Sequence, residues 1–521
     1  MDDDRAVAYR NEGLWRPELL TDHVREHVRS KANCKALVDD DGAVTWSELW
    51  ALAQRSGAAL SERGVVRGDI VSTQLPNARA MVVLHLAIEL IGAIHNPLAM
   101  QFREHELDQL GQLLAPRLVV HPGQVGDIDY AAIHGRTASG RSGVSLAADQ
   151  LVGEHLPLPS ATIEQSAAIA SDLAFILNTS GTVSIKGVMH SHEEALFSTR
   201  TVAELIELNS GDTVLCAIPM TWGGGLAWGL RVALHVGATL VCLKRWDART
   251  AAHVIDDAGV TYTYGPPTMA RDIVALSDTW RPAQPIKMIC AGAPIPRQLC
   301  RDARDKLGLR LVPGYGQTEH LHSTLGRLDD PDEKLTTDGR AVPGVEIRAV
   351  DLDGAPCEPG DPGALEVRGP NVSLGYYAQP DLTSEFFRSD GWQVTQDLGS
   401  FDAAGYLSVV GRKRDIIIRG GLNVSPREVE ELLLRHADIK DAAVVGYPDD
   451  RYGERICAFI VPAGKAVVSV DELSAALAEL GVARYKHPER IEPIDALPLT
   501  TTGKVRHETL RERLRHGQEV E

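Results

Sequence analysis

No CxxC pair occurs in this chain, and its seven cysteines are scattered along it. Such spacing excludes both a disulfide framework and a Cys/His zinc site, and predicts a reducing compartment. Basic residues are outnumbered: 53 Lys+Arg against 71 Asp+Glu leave a formal net charge of -18. That balance excludes a general nucleic-acid surface, so any anionic ligand must be held by local groups. Long apolar runs are missing as well. The stretch Met81 to Met100 is broken by His85, Glu89 and His95, which predicts a buried helix leading into an extended segment and no membrane span. The opening "MDDDRAVAYR" is acidic and carries no apolar core of a secretory signal, so a cytoplasmic protein is expected.

What is present is ordinary globular composition at unusual length. With 44% hydrophobic and 24% charged residues over 521 positions, the chain is too long for one core and calls for at least two domains. Up to about residue 410, helical patterns alternate with short β-branched runs. "VTWSELWALAQRSGAALSERGV" has helical spacing, whereas "RGDIVSTQLP", "TVLCAIPM", "GATLVCLK", "VTYTYGPP" and "IKMICAGAP" read as strands. The alternation predicts an α/β fold with mainly parallel sheets. "YAAIHGRTASGRSG", rich in Gly, Ser and Arg, is expected to be a mobile loop.

After "GRKRDIIIRGG" the pattern changes. "SPREVEELLLRHADI" opens with Ser425 as N-cap, proline at the first helical position and Glu428 completing a capping box. Val429, Leu432 and Leu433 supply one apolar face. "DAAVVGYP" and "RICAFIVPA" read as strands and "SVDELSAALAEL" as a helix. A large N-terminal domain over 1–413 and a small α+β domain over 414–521 are therefore expected, joined at the basic run Arg412-Lys413-Arg414.

The segment "LNTSGTVSIKGVMHSH" places Thr179, Ser180, Gly181, Thr182 and Lys186 close together. Glycines admit backbone N–H groups to an anion, hydroxyls donate hydrogen bonds and lysine adds a point charge, so the stretch suits a phosphate cradle. It is not a P-loop, because Lys186-Gly187-Val188 inverts the order GK[ST]. Taken alone it is equally an ordinary surface turn.

Its neighbours along the chain decide its reading. "AGAPIP", "GYGQTEH", "GWQVTQDLGSFDAAGYLSVVGRKRDIIIRGGLNVSPREVEELL" and "LPLTTTGKVRH" follow in that order. Together these resemble the core motifs of the adenylate-forming superfamily, which includes acyl-CoA synthetases, luciferases and peptide-synthetase adenylation domains. The resemblance runs from about Val44 to Arg506. It implies an ATP-dependent ligase: a carboxylate attacks the α-phosphate of ATP, acyl-AMP forms, pyrophosphate leaves, and the acyl group passes to an acceptor.

The resemblance also implies roles. Thr179 to Lys186 would hold the β- and γ-phosphates, although only Val183, Ser184 and Ile185 stand where the family commonly has four residues. Tyr315, beside Gly316, would stack on adenine, Thr318 would touch the α-phosphate, and Glu319 would help to hold Mg²⁺. Gly292, Ala293 and Pro294 would back the adenine. Asp397 would accept both ribose hydroxyls, with Gln396 where the family has glycine, and Arg412 would contact ribose and phosphate. Lys504 would be the catalytic lysine, offsetting charge during adenylation. Arg414 would be the hinge, with Gly420 and Gly421 lining an acceptor channel. Without the neighbouring motifs, Arg412 reads as linker charge and Lys504 as an exposed lysine. Retention of Glu319, Asp397, Arg412 and Lys504 argues against a degenerate, non-catalytic binder.

"PMTWGGGLAWG", "YGPPT" and "CAGAP" should form the acyl pocket, through Trp222, Gly223, Gly224, Gly225, Tyr264 and Gly265. Trp222 reads as an apolar wall or as a core residue. The absence of a basic residue there points to a cyclic, aromatic or branched apolar acid. As acceptor, an amino-acid amine is preferred, by resemblance to coronafacic-acid-type amide ligases; the alternative is the CoA thiol, with CoA then a cosubstrate.

Overall fold

The computed structural model describes residues 3–138, 145–157, 166–180, 185–292, 295–351, 353–412, 415–419, 422–449, 451–464, 468–480, 482–500 and 505–518. Mixed α/β architecture is found, with a large sheet-rich N-terminal part and a smaller C-terminal one. Thr45 starts the helix Trp46–Glu62 through a full capping box with Glu48, as its hydroxyl and carboxylate positions dictate. The Met81–Met100 expectation holds: the helix Arg79–Leu90 is buried nearly throughout and leads into the strand Ile94–Pro97.

Two sheets sandwich the main core. The nine-stranded sheet runs in the order Arg340–Ala341, Thr324–Leu325, Leu309–Tyr315, Ile286–Ala291, Tyr262–Gly265, Thr213–Cys216, Thr239–Cys242, Lys35–Asp39, Gly42–Thr45. Its centre is parallel and its two ends are closed by antiparallel strands. The six-stranded sheet places Leu173–Ser180 between Ile185–Ser191 and Ile94–Pro97. Alternation along each central strand separates two apolar layers: Val214 and Cys216 enter the core shared with Phe175 and Trp46, whereas Leu215 and Ala217 pack with Met269 and Met288 on the other face. Parallel strands all end at the same edge, which is where their connecting loops gather.

The expectation of parallel sheets up to residue 410 fails after Val345. Glu346–Val350, Gly363–Arg368, Gln393–Phe401 and Leu407–Arg412 form an antiparallel sheet. The tight turn at Asp402–Gly405 leaves no room for a helical crossover between the last two strands, which parallel pairing would need. The expected loop over "YAAIHGRTASGRSG" is also corrected in its first half. Tyr130–Arg136 is a helix, because Asp129 caps the Ala132 N–H and Tyr130 and Ile133 are buried; residues 139–144 lie outside the described residues.

In the C-terminal part, Leu422–Val424, Ile417–Arg419, Gly453–Pro462, Ile439–Asp449 and Arg490–Pro493 form one sheet. It carries a core on each face, Val429, Leu433 and Leu473 on one, Phe459, Leu510 and Leu514 on the other. Ser425 caps Pro426–Leu433 as expected, accepting from the Glu428 N–H. Glu428 does not complete the box; its carboxylate is taken by Lys486 Nζ at 2.5 Å, a charged partner that outcompetes a backbone N–H. The Ser425 hydroxyl instead donates to the Val410 carbonyl at 2.6 Å, tying the helix start to the strand that precedes the basic linker.

Candidate active site

The site gathers at the C-terminal edge of the parallel sheet. Leu309–Tyr315 ends there and turns sharply back through Leu321, whose φ is 45°. Gly316 is required by this turn, since a Cβ there would lie 1.7 Å from the Leu321 carbonyl oxygen. The turn presents Tyr315, Gln317, Thr318 and Glu319 in succession, the last three half-buried.

Asp397 is the convergence point. It is 7% exposed, on the strand Gln393–Phe401 and directly opposite Arg412 in register. Tyr315 Oη donates to Asp397 Oδ2 at 2.9 Å and Gln317 Nε2 to the same oxygen at 2.6 Å. Arg412 Nε stands 3.5 Å from the other oxygen, Oδ1. Burial first, and the neighbouring Asp397 charge second, push the Tyr315 phenol well above its ordinary pKa, so it stays protonated as a donor. Gln396 takes φ 65°, the left-handed region that glycine enters without cost. The backbone demand on this position survives although the residue differs.

Thr179 and Lys186 face each other as register partners in the antiparallel pair Leu173–Ser180 and Ile185–Ser191. They are therefore strand residues at the mouth of a hairpin, not loop residues; Gly181 and Thr182 lie outside the described residues. Lys186 Nζ sits 4.8 Å over the Tyr376 ring and 4.3 Å over the Phe386 ring. Tyr376 Oη donates to Glu319 Oε1 at 2.9 Å. Among the described residues no basic nitrogen lies within 4.0 Å of the Glu319 carboxylate. A half-buried carboxylate without a cationic partner fits a Mg²⁺ whose other ligands are phosphates and water. No group of three or more His, Cys, Asp or Glu that could hold a metal occurs among the described residues.

The segment expected to form the acyl pocket is built on close approach. A Cβ on Gly225 would lie 2.1 Å from the Pro219 carbonyl oxygen, and one on Gly224 2.3 Å from the Tyr264 ring. Gly225–Arg231 is a π-helix, a wide turn often found at functional sites. It delivers Trp228 to Tyr264: the Trp228 ring lies edge-on to Tyr264 at 4.9 Å and to His322 at 4.6 Å. Trp222 is half-buried against the core of Met269 and Met288, on which Tyr264 packs too, and a Cβ on Gly265 would meet both methionines. The His322 imidazole is held neutral, its pKa lowered to about 3 by burial.

Gly292 lies at the end of the strand Ile286–Ala291. Ala293, Pro294, Arg414, Gly420, Gly421 and Lys504 lie outside the described residues. Sequence reasoning missed Gln317, Tyr376, Trp228 and His322. Gln317 and His322 sit in or just beyond "GYGQTEH" and Trp228 lies within "PMTWGGGLAWG", so all three stand in or beside these motifs; Tyr376 carries no local signal.

Known proteins resemble this arrangement over nearly the whole chain. AMP-binding enzymes match residues 24–377, and the AMP-binding enzyme C-terminal domain matches 428–504. The chain belongs to the AMP-binding enzyme family. A medium-chain fatty-acid–CoA ligase of Escherichia coli (strain K12) is 33% identical, over 98% of this chain and 93% of the relative. The ATP-bound structure of MatB from Rhodopseudomonas palustris superposes with a TM-score of 0.82 at 28% identity, covering 94% of this chain and 99% of that one. The amide bond synthetase McbA from Marinactinospora thermotolerans superposes with a TM-score of 0.84 at 25% identity, covering 95% and 99%. This AMP-binding enzyme is an ATP-dependent, acyl-adenylate-forming ligase. No helix among its described residues is long and apolar enough to cross a membrane.

Proposed function

We propose that this ligase seats ATP on the Asp397 cluster, activates an apolar ring-bearing or branched acid as acyl-AMP, and passes the acyl group to a small acceptor. The observation that carries the reading is the convergence of Tyr315, Gln317 and Arg412 on one buried carboxylate. Tyr315 and Gln317 fix Oδ2, so the carboxylate is oriented before a sugar diol arrives. Arg412 gives that side of the site a positive charge for ribose and phosphate. Thr179, Ser180, Gly181, Thr182 and Lys186 would hold the terminal phosphates, and Thr318 the α-phosphate. Gly292, Ala293 and Pro294 would back the adenine. Glu319 would help to hold Mg²⁺, which when bound neutralises phosphate charge.

The acid would lie along Gly223, Gly224 and Gly225 with Tyr264, Trp228 and His322 as walls. The described contacts there are aromatic and apolar around a neutral imidazole, which suits an uncharged ring. The catalytic cation is assigned to Lys504, and a boundary between large and small domains at 413/414 lets Arg414 act as hinge and Gly420 and Gly421 line the acceptor channel. For the acceptor, the name of the fatty-acid–CoA ligase relative supports the CoA thiol, and the likeness to an amide bond synthetase supports an amine. Transfer to CoA is at least as well supported as transfer to an amino acid.

The test is acid-dependent pyrophosphate release over a panel of aromatic, cyclic and branched acids, followed by mass spectrometry with CoA or amino acids added separately. Release with a ring acid, and a single acyl product, is expected. No release with any acid of the panel would overturn the reading.

A further inference from the structure

Tyr376 touches two opposite charges at once. Its hydroxyl donates to Glu319 Oε1 at 2.9 Å, and the Lys186 ammonium stands 4.8 Å from its ring centroid. Phe386 meets the same ammonium at 4.3 Å, and packs edge-on against Tyr376 at 5.9 Å, as Phe387 does at 5.6 Å. The tyrosine itself is 2% exposed. Its backbone is laced to the strand that carries the lysine: Val188 bridges Tyr376, the Met189 N–H donates to the Gly375 carbonyl and the Tyr377 N–H to the Gly187 carbonyl. The Ser373 N–H, three residues earlier, donates to the Glu319 carbonyl. One short segment thus fixes the positions of both charged residues.

Lys186 and Glu319 are not paired with each other among the described residues, although both contact one side chain. Opposite charges that share one neighbouring side chain attract each other at the edge of a protein interior. Direct pairing would neutralise the ammonium that a polyphosphate needs and occupy the carboxylate that a metal needs. We propose that Tyr376 is a positioning residue that holds the two apart, its ring keeping the ammonium and its hydroxyl keeping the carboxylate. This rests on the reading of the site as an ATP-binding adenylation centre. Phe386 completes the ammonium side, so the two functions of the tyrosine are separable by mutation.

The test is calorimetric ATP binding to the full chain, without Mg²⁺ and across a Mg²⁺ titration, for wild type, Tyr376→Phe, Phe386→Leu and Glu319→Gln. Tyr376→Phe keeps the ring, which with Phe386 still holds the ammonium away from the carboxylate, and loses only the hydroxyl that orients Glu319. It should leave metal-free ATP affinity within about twofold and raise the Mg²⁺ concentration for half-saturation about tenfold, the usual scale for a lost hydrogen bond to a charge. Phe386→Leu should do the reverse, weakening metal-free ATP binding about threefold with the Mg²⁺ midpoint unchanged. A general loss of structure would move both quantities together, so the opposed pattern separates positioning from packing. An unchanged Mg²⁺ midpoint in Tyr376→Phe, with a raised one in Glu319→Gln, overturns the role of Tyr376. An unchanged midpoint in Glu319→Gln overturns the metal assignment itself, and this inference with it.

Discussion

Tyr315 and Asp397 are joined by a 2.9 Å hydrogen bond between residues 82 positions apart. It links the last residue of the parallel sheet to the middle of the antiparallel one. Each residue is buried, so the bond also spares a carboxylate and a phenol from unpaired burial.

Asp397→Ala should therefore weaken ATP binding by about 1.5–3 kcal/mol, the scale of hydrogen bonds to a charged acceptor. The Tyr315 and Gln317 donors would lose their shared partner at the same time. Isothermal titration with ATP measures this, and an affinity equal to wild type would remove Asp397 from the nucleotide site.

Lys504→Ala should suppress acid-dependent pyrophosphate release by roughly 10²–10³, as loss of one charge-stabilising donor does, while ATP binding persists. Pre-steady-state release separates the two quantities. Unchanged adenylation would take the lysine out of the first half-reaction.

Gly225→Ala should cost about 1–3 kcal/mol of stability, because its Cβ would meet the backbone carbonyl of Pro219 at 2.1 Å. Gly224→Ala meets a side chain instead, the Tyr264 ring at 2.3 Å. Tyr264 must shift into the pocket or away from it, so the change should appear as altered preference among acids with a smaller loss of melting temperature. Melting curves and relative rates over the acid panel distinguish them. A Gly224→Ala enzyme with an unaltered acid profile would place the acid elsewhere.

Acid should destabilise the fold through its buried histidines. Burial lowers His95, His320 and His322 to about 3, against an unfolded value near 6.5. The unfolded chain then binds more protons between about pH 6.5 and 3, and each such group removes about 1.4 kcal/mol per pH unit over that window. Stability is full above pH 6.5 and falls as pH drops. His322→Gln should flatten the decline in melting temperature between pH 6.5 and 5; the same slope as wild type would show that His322 ionises without unfolding.

Much of this protein was legible in the chain. Ser425, followed by proline, marks a helix start because capping is chemistry between residues three apart. The strands around "TVLCAIPM" and "IKMICAGAP" follow from apolar, β-branched runs bounded by turn residues. Tyr315, Asp397 and Arg412 were each identifiable by motif, and these three do meet.

Tertiary structure decided the rest. Nothing near Tyr376 in sequence says that its hydroxyl reaches Glu319 or that its ring meets Lys186, because those contacts cross 57 residues in one case and two separate elements in the other. Trp228 meets Tyr264 edge-on from within the π-helix Gly225–Arg231, a contact that composition does not encode. Glu428 left its capping box for Lys486, 58 residues away. Local preferences are set by neighbours along the chain, whereas the pairing of charges and rings is set by which faces the packed sheets bring together, and only the folded chain supplies that geometry.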